Sequence, residues 1–385
     1  MTPPGSGLHA RPRASPPRAY RSTSRRRFLV RRVVVTAISV AVLGALTSLA
    51  WHSISSGGRG PHMSGLASRN RGSAPSTSPK FAGPFAVGVT QITVEEPTGA
   101  GNPVPAEGAP RARVITTFVR YPSRSGPAGT EVSGAVPDVA DGPYPLVVFS
   151  QGFDMSAARY QPILDAWVQA GFVVAEPLYP RTDPSAPAGV DRADLAYHPG
   201  DLRFVISQLT SSPVELGIAR GLIDTAEIVV AGQSDGGDVS LAVAAGSCCL
   251  DSRIRGAMIL SGAEYAGFDT SYFAQPHVPL LLTQGTADTI NPPVCSNQIY
   301  DAAGSPLYYV QLLGADHLSP YTTTDSYERV VVAVTLDFLE AITRGDSGAL
   351  SRLASDGSVP GTASYLGPGS SLPLEGSCPD APPGI

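Results

Sequence analysis

Charge is scarce in this chain: Asp, Glu, Lys and Arg together make up only 15% of its 385 residues. Disorder needs high net charge and little apolar material, and with 42% hydrophobic residues the chain has ample material for a large core. Lysine is nearly absent. Lys80 is the single lysine among 27 basic residues, which with the many alanines, glycines and prolines points to GC-rich coding and carries no chemistry. The net charge is only -5 and the basic residues crowd into the first 32 positions, so no basic face for nucleic acid is expected. Cysteine is limited to four, with no CxxC or HExxH spacing, and neither a metal nor a cofactor is called for. Cys248 and Cys249 are adjacent while Cys295 and Cys378 stand alone; such usage suits an oxidising compartment and leaves the connectivity open.

One long apolar run is present. Residues 33–50 (VVVTAISVAVLGALTSLA) are uncharged and follow Arg25, Arg26, Arg27, Arg31 and Arg32. This is the layout of a signal peptide or of an N-terminal anchor. Ser24-Arg25-Arg26-Arg27-Phe28-Leu29 resembles a twin-arginine export signal, the alternative being a generic positive-inside flank. Either reading places the rest of the chain outside the cytoplasm. Ser48-Leu49-Ala50 offers small residues for cleavage, yet the run is long enough to stay as a single membrane span, and the two outcomes are not separable here. The expected organisation is therefore a leader or anchor over 1–53, a flexible Gly/Ser/Pro-rich spacer over 54–84, a catalytic domain over 85–345 and a polar tail over 346–385.

From Phe85 onward short apolar runs alternate with amphipathic segments, the pattern of a mostly parallel α/β sheet of about eight strands with helices on both faces. Strands are expected at 87–94 and 114–121, both antiparallel to the rest, and at 145–150, 172–176, 228–231, 256–260, 279–283 and 307–313. Helices are expected over 160–170, 193–210, 239–245 and 328–342, with a short one at 348–354 in a tail that otherwise wraps the surface.

Strand 228–231 runs into Gly232-Gln233-Ser234-Asp235-Gly236-Gly237 and then a helix. G-x-S-x-G at such a junction is a nucleophile elbow, whose tight turn lifts the serine hydroxyl out of the sheet. By itself the pentapeptide equally suits a glycine turn with an incidental serine. A serine hydroxyl needs a base, and of six histidines only His317, in Gly314-Ala315-Asp316-His317 past the last strand, stands where this plan delivers one. The base needs a carboxylate to fix its tautomer; Asp288 in Gln284-Gly285-Thr286-Ala287-Asp288 follows strand 279–283, with Asp316 as the rival. An oxyanion site is expected from the backbone N–H groups of Phe153, in Ser150-Gln151-Gly152-Phe153, and of Asp235 at the helix start.

With these four elements the span 85–345 resembles the α/β-hydrolase superfamily, within it the dienelactone-hydrolase-like, platelet-activating-factor acetylhydrolase-like and actinobacterial cutinase group. VVFSQGF, GQSDGG, GTADTINPP and GADHLSP match the strand, elbow, acid loop and histidine loop of the cutinases. The resemblance implies Ser234 as nucleophile, Asp288 and His317 as its partners, and Phe153 and Asp235 as oxyanion donors; the leading expectation is a monomer that hydrolyses a small-molecule or lipid ester through an acyl-enzyme. A peptidase or lactone hydrolase would use the same triad, and a catalytically silent scaffold binding an envelope partner is the reading from another class. Three departures bear on substrate. Ala263 stands where cutinases carry a tryptophan, Asp235 replaces a hydrophobic residue, and the early member of their C-terminal cysteine pair is missing although Gly376-Ser377-Cys378-Pro379 resembles the late one; a Cys295–Cys378 bridge is one of the pairings left open. Fewer than twenty residues join strands 256–260 and 279–283, so no large cap domain and an open cleft are expected. Tyr265, Phe268, Tyr272 and Phe273 in that connection either line a pocket or pack the loop.

Overall fold

The computed structural model describes residues 83–97, 112–187, 189–367 and 369–379. The leader, its apolar run and nearly all of the spacer lie outside the described residues, among which no helix is long and apolar enough to cross a membrane.

In chain order the elements are β1 (Ala86–Pro97), β2 (Ala112–Ser123), β3 (Glu131–Ser133), β4 (Tyr144–Ser150), α1 (Gln161–Gln169), β5 (Val173–Leu178), α2 (His198–Ser211), β6 (Ile223–Gln233), α3 (Asp235–Ala245), β7 (Ile254–Leu260), β8 (Leu280–Gly285), α4 (Pro293–Ala303), β9 (Leu307–Leu312), α5 (Ser319–Thr322), α6 (Ser326–Arg344), α7 (Ala349–Asp356) and β10 (Ala363–Leu366). The strands form one sheet in the order β10-β9-β8-β7-β6-β4-β5-β2-β1-β3. Strands β5, β4, β6, β7, β8 and β9 are mutually parallel.

Both faces of this parallel centre are covered, and the sequence shows why its strands read as unbroken apolar runs. Leu146, Val148, Val230, Ile259 and Leu282 face a core completed by Leu202 and Val205 of α2 and Val239 and Leu241 of α3. Their neighbours Val147, Phe149, Val229, Met258 and Leu281 face the opposite core, with Trp167 of α1 and Val334 and Phe338 of α6. Period-two alternation thus divides each strand between two cores.

Several expectations change in detail. Of the two early strands only β2 runs against the parallel set: β1 pairs antiparallel with β2, and two reversals restore the common direction; at the other edge β10 also runs antiparallel, to β9. The sheet has ten described strands, two more than expected, because β3 pairs with β1 and β10 with β9. These are edge strands of three and four residues, too short to show periodicity. The helix expected over 193–210 is a 3-10 turn over Arg192–Tyr197 followed by α2, the break falling where Pro199 enters the first turn. The segment after Asp346 does more than wrap the surface. It supplies α7 and β10 and then returns to α4, where Cys378 bonds Cys295. Cys248 and Cys249 are bonded to each other.

Strand order reverses between β5 and β6, on either side of β4. Loops leaving the C-terminal ends of β4 and β6 therefore diverge and open a crevice between them. Ser150 and Gly232 are register partners at that point, so the segment 151–153 and the turn at Ser234 are neighbours by construction.

Candidate active site

Strand β6 ends in a turn that only glycine allows on either side of Ser234. A Cβ at Gly232 would lie 2.0 Å from the Gly236 carbonyl oxygen, and one at Gly236 would lie 2.0 Å from that of Ser150. Ser234 itself has φ 56 and ψ -128, a strained setting for a residue with a side chain. Its N–H donates to the Leu260 carbonyl at 2.9 Å, and its own carbonyl accepts from Gly237 at 2.7 Å, so the turn is tied to β7 and to the first turn of α3.

The Ser234 hydroxyl lies 2.8 Å from Nε2 of His317, and Nδ1 of His317 lies 2.7 Å from Oδ2 of Asp288. A carboxylate only accepts, so Nδ1 carries the ring proton and Nε2 is left as the acceptor for the serine O–H. Asp288 is held from its other side: Oδ1 accepts from the N–H groups of Ile290 and Asn291 at 2.9 and 3.0 Å, and Oδ2 also accepts from Gln284 Nε2 at 3.0 Å. Asp316, the rival acid, does not touch the ring. It accepts from the N–H groups of Leu318 and Ser319 at 2.9 and 2.7 Å, and those bonds hold its carboxyl below the usual range.

Phe153 and Asp235 line the same cavity as Ser234 and His317, a space of about 460 Å³. Asp235 opens α3, where helical geometry leaves the N–H without an intrahelical acceptor. Among the described residues no hydrogen bond engages the N–H of either Phe153 or Asp235. The segment carrying Phe153 is braced: Ser150 Oγ lies 2.8 Å from Tyr179 Oη, Gln151 Nε2 donates to Asp183 at 3.1 Å, and Asp154 N–H donates to the Thr182 carbonyl at 2.8 Å.

Sequence reading missed Gln233 and Tyr160. Gly152 N–H donates to Tyr160 Oη at 3.1 Å, Tyr160 O–H donates to Gln233 Oε1 at 2.8 Å, and Gln233 Nε2 donates to the His317 carbonyl at 3.0 Å. This buried chain connects the segment at Phe153 to the histidine loop through the residue beside Ser234. Gln233 could have been noticed as the polar first variable residue of the pentapeptide; Tyr160 bears no local mark. Arg192 was missed as well. It reaches Asp235 from the loop after β5, with Nη2 2.6 Å from Oδ1 and Nε 3.0 Å from Oδ2.

The aromatic residues of the β7–β8 connection pack on one another. Tyr265 and Phe268 meet edge to face at 4.9 Å, Tyr272 O–H donates to the Tyr265 carbonyl at 3.3 Å, and none of the four aromatics lines the cavity at Ser234. Among the described residues only a 3-10 turn, Ala266–Phe268, interrupts that connection, and there is no cap domain. Ala263 is buried against Val294 and the Cys295–Cys378 pair, and Pro379, next to Cys378, forms part of the cavity wall. No group of three or more metal-ligating side chains occurs among the described residues.

No protein-family model and no curated protein sequence matches the chain. Among solved structures, a ferulic acid esterase from Streptomyces cinnamoneus is similar, with a TM-score of 0.55 and 19% identity, covering 76% of this chain and 99% of that one. That likeness concerns the fold, and the chain has the α/β-hydrolase fold.

Proposed function

We infer that the chain is an exported serine hydrolase that cleaves carboxylic esters through an acyl-enzyme. The observation that carries this reading is the row Asp288–His317–Ser234, with contacts of 2.7 and 2.8 Å on opposite nitrogens of one ring, its serine on a strained turn at a cavity. Support from fold comes from the similarity to a ferulic acid esterase.

In the reaction, Ser234 Oγ attacks the ester carbonyl carbon while its proton passes to His317 Nε2. Asp288 keeps the Nδ1 proton in place and stabilises the imidazolium. The carbonyl oxygen becomes an oxyanion and accepts from the N–H groups of Phe153 and Asp235; removing one such donor typically costs about a hundredfold or more in rate. Collapse expels the alcohol, which takes the proton from Nε2. Water then repeats the sequence on the acyl-enzyme and frees Ser234. The open, partly apolar cavity suits short to medium acyl chains. Sorting outside the cytoplasm rests on the Arg25-Arg26 leader.

Incubation with a fluorophosphonate probe and nitrophenyl esters of graded acyl length tests this. Wild type labels and turns over the shorter esters, and Ser234→Ala does neither. Wild type that neither labels nor hydrolyses any ester identifies a silent scaffold, and turnover confined to peptides or lactones moves the activity to those substrates.

A further inference from the structure

Asp235 poses an electrostatic problem for the reading above. Its backbone N–H is a donor to the developing oxyanion, while its carboxylate, 6% exposed, lies by covalent geometry within about 6 Å of that N–H. A like charge that close, at the effective dielectric of a protein site, raises the barrier by an amount worth about a hundredfold in rate. A hydrophobic residue at this position would carry no such penalty. The structure supplies a counter-charge: Arg192 clasps both carboxylate oxygens, with Nη2 2.6 Å from Oδ1 and Nε 3.0 Å from Oδ2. Its guanidinium also lies over the Tyr265 ring at 5.4 Å from the centroid, so loops from either side of β6 hold it. Asp191 begins the 3-10 turn that Arg192 opens, its side chain accepting from Ala193 N–H at 3.1 Å, which sets the direction in which the arginine leaves the backbone.

We propose that Arg192 is a positioning residue that acts through Asp235, cancelling the carboxylate's charge beside the oxyanion and setting the site for esters that are uncharged near the scissile bond. This rests on the ester-hydrolase reading. The guanidinium, though 40% exposed and part of the cavity wall, is committed to both carboxylate oxygens, and the rest of that wall, with Phe153, Met155, Ile290 and Leu318, offers no other cation to an anionic acyl group.

The experiment compares wild type, Arg192→Met and Arg192→Met/Asp235→Asn on nitrophenyl butyrate and nitrophenyl hemisuccinate, with fluorophosphonate labelling and melting curves alongside. Expected for Arg192→Met is a fall in kcat on the butyrate of about a hundredfold with KM changed less than about threefold, since an interaction made in the transition state is lost. The double variant recovers at least about tenfold of that loss, which a merely structural role would not produce. A double variant as slow as the single one, or a single variant as fast as wild type, overturns the proposal. So does wild type preferring the hemisuccinate with Arg192→Met raising KM for that ester alone, which would make Arg192 a ligand for substrate carboxylate. Wild type inert towards the probe and both esters overturns the hydrolase reading and this proposal with it, an outcome distinct from the others.

Discussion

The molecule holds two sets of Asp, His and hydroxyl side chains at the same end of the sheet. In the first, Asp288 and Ser234 lie 2.7 and 2.8 Å from opposite nitrogens of His317. In the second, Asp194 Oδ2 and Thr182 Oγ1 both lie 3.4 Å from the same nitrogen, Nε2 of His198. Nε2 of His317 can take the hydroxyl proton while Asp288 holds the proton on Nδ1, whereas both contacts of His198 compete at one atom. Their surroundings differ as much. His198 is 2% exposed and stacks on Tyr179 with centroids 3.9 Å apart, and Asp194 is taken by Arg113 through contacts of 2.7 and 2.8 Å. Burial alone would raise the Asp194 carboxyl, but the hydrogen bonds from Arg113 and His198 hold it well below the usual range. Asp201, on the other edge of the same guanidinium at 2.6 and 2.7 Å, is pushed by burial up to about 7 despite those bonds. The same residue types therefore make a hydroxyl–imidazole–carboxylate row at a cavity in one place and an internal tie between β2 and α2 in the other. Access and the choice of ring nitrogen separate them.

The sharpest way to break the comparison is Ser234→Ala or His317→Ala. Each is expected to lower kcat for a short nitrophenyl ester by about a millionfold, with the double variant adding little, because the pair acts as a unit. Asp288→Asn comes next, with a fall of about 10⁴ in steady-state kcat, since an amide in place of the carboxylate favours the wrong ring tautomer. On the structural side, Arg113→Met leaves two buried carboxylates without their cation and is expected to cost about 3–5 kcal/mol in urea unfolding. Activity per folded molecule should hardly move, and a selective loss of activity would mean the second set is not structural.

A further carboxylate sharpens the contrast, because Glu264 has neither histidine nor arginine. It is 5% exposed, makes no hydrogen bond among the described residues, and burial pushes it up to about 7 from an ordinary 4.5. Between those values the folded protein keeps a proton that the unfolded chain releases, so stability falls as pH rises through that window and the full penalty applies above it. Glu264→Gln should match wild type near pH 4 and become more stable through pH 5 to 7, by up to about 3 kcal/mol at pH 8. Melting curves across that range check the sign; a variant less stable at pH 8 contradicts it. The smallest effect is expected from Thr182→Val, which removes the hydroxyl of the second set and should leave kcat within about threefold. A loss comparable to that of Ser234→Ala would exchange the roles of the two sets.

Much of this is legible in the amino-acid sequence. The strands of the parallel centre and the helices over 160–170 and 328–342 announce themselves through local periodicity, and the elbow through glycines that sterics demand at 232 and 236. Strands β3 and β10 could not be read, because three or four residues at a sheet edge carry no pattern of their own. Nor could the chain from Gly152 through Tyr160 and Gln233 to His317, whose members have ordinary neighbours in sequence.

The amino-acid sequence by itself determined the strands of the parallel centre and the longer helices, and placed a serine, an aspartate and a histidine, in that order, after β6, β8 and β9. These outcomes depend on side-chain periodicity and turn sterics, which act over a few residues. Tertiary structure alone decided that His317 meets its acid and its hydroxyl on opposite nitrogens while His198 does not, and that Arg192 faces an aspartate 43 residues away. The strand order brings those loops together, and angles and distances of a few tenths of an ångström between distant residues exist only once the sheet has closed around its two cores.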